Sequence, residues 1–169
     1  VAGLADVRKA ALQIVGPVCG NKAMSYGEAD IGRMLHAYLL AGYAATSREH
    51  PILVGKVERR VDFRFGDKPH GSNPCLFELA VRNSEHGQQL HWSQNKSELQ
   101  KLSRYPSSRA KVRALLLLDI GHTPIEQHAL QRGYDDYCLG RGNFPRYTVS
   151  VLYVHRNLDY RFVWRPTAN

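Results

Sequence analysis

Two acidic side chains, Asp62 and Glu78, stand in strand-like segments whose alternation turns both toward one face of a sheet. In Val57 to Phe65, the apolar Val61, Phe63 and Phe65 alternate with Arg60, Asp62 and Arg64, so the first set faces a core and Asp62 faces out. A loop rich in turn formers, from Gly66 to Pro74, leads to the second segment, where Cys75, Phe77, Leu79 and Val81 alternate with Leu76, Glu78, Ala80 and Arg82. Pairing of the two segments is expected to make Asp62 and Glu78 near neighbours close to the surface of the sheet. Carboxylates held close repel each other, and a divalent cation or basic groups relieve that cost. Arg60, Arg64 and Arg82 share the charged faces.

Helices must flank such a sheet. Leu4, Val7, Ala11, Leu12 and Val15 form the stripe of a first helix, which Gly16-Pro17 is expected to end. In the second, Ser25 occupies an N-cap position and Glu28, three residues on, completes a capping box, with Ile31, Leu35, Leu39 and Gly42 down one side. Glu28 therefore has two readings, cap partner or third acid of the Asp62–Glu78 face. Ile52 to Val54 and Val57 to Phe65 read as one strand or a hairpin. Ser93 is placed to cap a helix reaching Arg104, on which Gln94, Glu98, Lys101 and Tyr105 form a polar stripe while Leu99 and Leu102 point to a core. Arg113 to Ile120 suits a strand covered on both faces. Thr123, Pro124 and Glu126 open a helix that Gly133 is expected to close, and Tyr147 to Val154 with Tyr160 to Trp164 alternate as a hairpin. The sum is an α/β chain with a mixed central sheet flanked by helices.

With 169 residues, 43% of them hydrophobic and 22% charged, the chain has the length and composition of a single domain, 1–169. No apolar run approaches the ~20 residues of a membrane span. Three widely spaced cysteines suggest neither a zinc site nor a disulfide framework, so a reducing, cytoplasmic setting is expected. The net charge of +8 is uneven: Gln94 to Arg113 holds six Lys or Arg against Glu98 alone. Such a surplus attracts polyanions, with binding that falls as salt rises.

A helix with Glu28 near its start, a strand with Asp62, a strand with Glu78, then a helix carrying Gln94, Lys101 and Tyr105: this order resembles the PD-(D/E)XK nuclease superfamily, the restriction-endonuclease-like fold. The matching stretches are Ser25-Tyr26-Gly27-Glu28, Arg60-Val61-Asp62-Phe63 and Leu76-Phe77-Glu78-Leu79. The resemblance covers a core of about 25–120, to which a C-terminal helix and β-hairpin, 123–165, are added. It implies metal-assisted hydrolysis of phosphodiesters in nucleic acid, DNA ahead of RNA, with Mg²⁺ or Mn²⁺ held by Glu28, Asp62 and Glu78. In the family a lysine stands two residues after the second acid, and here that position is Ala80. Lys101, or Lys96, projecting from the next helix is the expected replacement. Arg82, one step further on the same strand face, stays protonated and serves as a phosphate clamp. The implied catalytic set is Asp62, Glu78, Lys101 and Arg82, and the implied nucleic-acid contacts are Arg60, Arg64, Gln94, Lys96, Arg104 and Tyr105. A homodimer is compatible with the resemblance. The alternatives are a catalytically inactive nucleic-acid-binding module of the same fold and a protein-interaction domain whose basic face docks an acidic partner.

Overall fold

The computed structural model describes residues 3–20, 25–66, 74–110, 112–139, 149–157 and 161–164, with the side chains of 136–139 and 161–164 excepted. Most of the Gly66–Pro74 loop and the turn of the C-terminal hairpin, with Tyr147 and Tyr160, lie outside the described residues. Helices α1 (Leu4–Gly20) and α2 (Glu28–Gly42) precede strands β1 (Ala45–Val54), β2 (Val57–Gly66) and β3 (Cys75–Arg82). Helix α3 (Lys96–Arg104), strand β4 (Val112–Asp119), helix α4 (Gln127–Leu139) and strands β5 (Ser150–His155) and β6 (Arg161–Trp164) follow. The six strands lie in sequence order; β1–β2–β3 run antiparallel, β3–β4–β5 parallel, and β6 returns antiparallel.

The sheet separates two cores. On one face Val7, Ile14, Ile31 and Leu35 of the first two helices pack on Phe63, Phe77, Leu116 and Val154. On the other, Leu99 and Leu102 of α3 and Leu130 and Tyr134 of α4 pack on Leu76, Ala80, Leu117 and Tyr153. Both faces of the sheet are therefore covered along β3, β4 and β5, which explains the near-continuous apolar run of β4.

Several element ends differ from their sequence signals because packing overrides them. Helix α1 runs past Gly16 and holds Pro17 inside its last turn, since the further turn buries Val18. A proline so near the end removes one hydrogen bond without interrupting the body of the helix. Helix α2 is capped at Gly27, whose N–H donates to Asp30 Oδ2 at 3.0 Å, so the capping role expected of Ser25 and Glu28 passes to other residues. Asn95 rather than Ser93 precedes α3, and Gln94 lies outside it. Helix α4 continues through Gly133 to bury Tyr134. The glycine is needed for close approach instead: a β-carbon there would lie 3.0 Å from Trp92 Cδ1. Strands β1 and β2 do form a hairpin, turning at Gly55 with φ +64°, and β1 begins earlier than its apolar residues suggest. Pro51 is accommodated because β1 is an edge strand.

At the C-terminal ends of β3 and β4, Arg82 and Asp119 are register partners and form a buried, two-point ion pair. Arg82 Nε donates to Asp119 Oδ1 at 2.8 Å and Nη2 donates to Oδ2 at 2.6 Å. The Tyr153 hydroxyl donates to the same Oδ2 at 2.5 Å and accepts from Ile125 N–H at 3.0 Å. His155 Nε2 donates to Gly121 O at 2.9 Å while its Nδ1 accepts from Asn157 N–H, and burial lowers its pKa, so the ring is neutral in this network. Arg82 is thereby committed to β4 and the Thr123 carbonyl, which corrects its expected role beside Glu78 as a phosphate clamp. Removing one partner of a buried pair strands the other charge. Asp119→Ala is expected to lower the unfolding free energy by about 3–5 kcal/mol, measured by urea denaturation. A loss below about 1 kcal/mol would show that Arg82 finds an equivalent partner.

Candidate active site

The chemistry-bearing side chains collect where β2 leaves β3. The ladder between these strands runs Phe65↔Cys75, Arg64↔Leu76 and Phe63↔Phe77 and stops. One more step in the same register would set Asp62 opposite Glu78. Instead the strands part, and Val61 packs with the α3 side of the sheet while Phe63 and Phe65 pack with the α1–α2 side. Alternation directs the N–H groups of Leu79 and Val81 into the gap, as it directs those of Cys75 and Phe77 to β2. Buried amides need partners. Asp62 Oδ2 accepts from Leu79 N–H at 2.8 Å, and Glu28 Oε2, reaching over from the first turn of α2, accepts from Val81 N–H at 3.3 Å. The loss of the capping-box role is what leaves Glu28 available for this contact.

Glu78 stands on β3 directly before the first of these amides and is only 1% exposed. The expectation of a near-surface acid is corrected here, because α3 packs Leu99 and Leu102 over that face. The same helix supplies the counter-charge. Lys101 Nζ lies 2.6 Å from Glu78 Oε1, also pairs with Glu98 one turn back on α3, and donates to the Arg60 carbonyl that the parting of the strands leaves open. Ala80, where the family resemblance would set a lysine, is 3% exposed and packs in the α3–α4 core. Lys101 therefore brings an ammonium to Glu78 from the neighbouring helix.

Lys101 pairs with two of the carboxyls gathered here, Glu78 and Glu98, and the titration of the group reflects their crowding. Burial, then the Asp62 charge, push the Glu78 carboxyl up to about 10 against the pull of Lys101. Burial also raises Glu28, opposed by the Val81 amide and reinforced by Asp62 and Glu98. Glu98 moves the other way: burial opposes its charge, but the bond from Lys101 outweighs it and holds Glu98 below the ordinary carboxylate range. Burial likewise opposes the charge on Lys101, and Glu78 and Glu98 more than restore it. At neutral pH the arrangement is an ammonium between one ionised carboxylate, Glu98, and one proton-holding carboxyl, Glu78.

Of the other residues expected at the site, Arg60 and Arg104 are exposed and line a cavity beside Lys101. Lys96 and Gln94 are exposed at the start of α3, away from that cavity's lining. Arg64 is half-buried inside the β2–β3 ladder, and its charge lies near His50. Tyr105 packs against the core, and its carbonyl accepts from Arg113 Nη1 at 2.6 Å. Glu98 belongs to the cluster although its sequence position suggested only a polar stripe; its i, i+3 spacing to Lys101 was the available signal. Among the described residues, no group of three His, Cys, Asp or Glu side chains is arranged to hold a metal ion. No helix among them is long and apolar enough to cross a membrane. Compared with protein-family models, with curated proteins and with solved structures, the chain matches none.

A carboxyl that titrates higher folded than unfolded binds its proton more tightly in the folded chain. Its stabilising contribution is complete below its unfolded pKa, near 4.5, and is lost as pH rises toward its folded value. Glu78→Gln removes this titration. Urea unfolding from pH 5 to pH 9 should show wild-type stability declining with pH more steeply than that of the variant. Parallel profiles would show that Glu78 is not held protonated.

Proposed function

We propose that the chain is a metal-dependent phosphodiester hydrolase of nucleic acid, DNA ahead of RNA, with a restriction-endonuclease-like core. The observation that carries this reading is the contact of Lys101 with Glu78, an ammonium delivered from α3 beside the position that Ala80 leaves without one. The succession of α2 with Glu28, β2 with Asp62, β3 with Glu78 and α3 with Lys101 on a mixed sheet supports it. The donor type fits Mg²⁺ or Mn²⁺, which favour carboxylate oxygens. Asp62, Glu78, Glu98 and the exposed Glu28 lie close enough to raise one another's cost of ionisation, a cost that a divalent cation relieves. Glu28, Asp62 and Glu78 would hold the ion. When bound, it supplies Lewis-acid polarisation of a phosphoryl oxygen and a water of lowered pKa.

The remaining roles fall to this chain's own groups. Lys101 provides positive charge for the extra negative charge that a phosphoryl group gathers during substitution. Glu98 keeps that ammonium protonated and aims it from the same helix face. The gap between β2 and β3 gives Asp62 and Glu28 fixed positions through the Leu79 and Val81 amides. One observation favours a second reading: Lys101 already neutralises the acidic cluster, as it would in a catalytically inactive nucleic-acid-binding module where the ammonium stands in place of a metal.

Cleavage of plasmid DNA in Mg²⁺ or Mn²⁺, with and without chelator, separates the two. Asp62→Asn and Lys101→Met are each expected to reduce metal-dependent cleavage by about 10²-fold or more while leaving the thermal transition cooperative. Because Glu78 must give up its proton to ligate a cation, calorimetry in buffers of different ionisation enthalpy should find proton release on Mn²⁺ binding at pH 7 to 8. Nucleic-acid binding that is salt-sensitive but indifferent to chelator and to Asp62→Asn, without any cleavage, would assign the second reading.

A further inference from the structure

Beyond the point where β2 parts from β3, its first half faces α3 across a cavity of about 340 Å³. The α3 side is a single stripe, since Ser97, Gln100, Lys101 and Arg104 are spaced i, i+3, i+4, i+7. Arg59 and Arg60 form the β2 side. Three guanidinium groups and an ammonium therefore surround one space, and Glu98 is its sole carboxylate, already engaged by Lys101. Among the described residues no ion pair engages Arg59, Arg60 or Arg104. Like charges converging across a cavity repel one another unless an anion lies between them. The volume is in the range of a small-ligand site, roughly 300–1,000 Å³, too large for the charges to be merely packed together.

We propose that this cavity is a phosphate site, in which Arg59, Arg60 and Arg104 seat a phosphate group of a nucleic acid next to the carboxyl cluster. Guanidinium groups match phosphate oxygens in paired, planar hydrogen bonds. Lys101 and Glu98 form a shared wall, belonging both to the cavity and to the contacts around Glu78. A phosphate seated here lies one wall away from Glu78, so a strand anchored by it is carried past the acids. Proximity to that cluster favours a polynucleotide over an acidic peptide. The proposal rests on the nucleic-acid part of the function proposed above and is independent of hydrolysis.

The test uses the full chain in chelator, where cleavage cannot contribute. Fluorescence anisotropy would follow a labelled single-stranded oligonucleotide and the corresponding duplex between 50 and 200 mM salt. All three arginines are exposed, so Arg59→Gln/Arg104→Gln should fold normally, and Lys9→Gln, exposed on α1 across the sheet, is the control. The double variant is expected to bind on the order of 10-fold more weakly at 100 mM salt and to show a log–log salt slope shallower by about 1, with Lys9→Gln unchanged. A 5′-phosphorylated strand binding more tightly than its 5′-hydroxyl counterpart, in wild type only, would identify a terminal phosphate as the occupant; equal binding would identify an internal one. Wild-type affinity and slope in the double variant, or tighter binding of a polyglutamate peptide than of the oligonucleotide, would overturn the proposal. Cavity-dependent binding without cleavage in Mg²⁺ or Mn²⁺ would overturn hydrolysis while leaving the phosphate site in place.

Discussion

Strand β3 is buried along its whole length, and the arrangement of polar groups in this protein follows from that constraint. All eight of its residues are covered, although they include a glutamate and an arginine and although the strand loses its β2 neighbour halfway along. Each of these liabilities is met by a different element. The amides exposed by the missing ladder are taken by side chains from β2 and α2, the glutamate by a lysine from α3, and the arginine by an aspartate from β4. Strand β3 thus holds its charged residues inside, where pairing is obligatory, and the polar contacts tie four elements to it.

Bringing an ammonium from a helix changes what controls it. A lysine on β3 itself would be positioned by the strand register. Lys101 is positioned by the packing of Leu99 and Leu102, both fully buried, and by Glu98 on the same helix. The β3 position in question carries a methyl group in the core shared with α3 and α4, and Lys101 reaches Glu78 from the helix.

The mixed sheet, its flanking helices and most strands were legible because alternation and apolar runs record burial directly. The association of Glu28, Asp62, Glu78 and Lys101 was legible as an order of elements. Three things were not. The depth of Glu78 depends on α3 covering β3, a tertiary contact that strand alternation cannot reveal. The partner of Arg82 depends on parallel register with Asp119, which lies 37 residues away. The expected cap of α2 rests on Ser25 and Glu28, which fit a local rule, whereas the helix starts at Gly27 with Asp30 accepting its N–H. In each case the local signal was compatible with two environments, and long-range packing selected one.

The gap between β2 and β3 also gives the protein a pair of natural reporters. The amide protons of Leu79 and Val81 are guarded by carboxylates and not by a neighbouring strand, so their resonance frequencies respond to the charge of Asp62 and Glu28. Their solvent exchange requires only that a side chain swing away, whereas exchange at Leu116 or Leu117, inside the parallel ladders, requires strands to separate. Two backbone signals in the middle of an otherwise silent strand thus record how often the acidic cluster opens, with no probe attached to it.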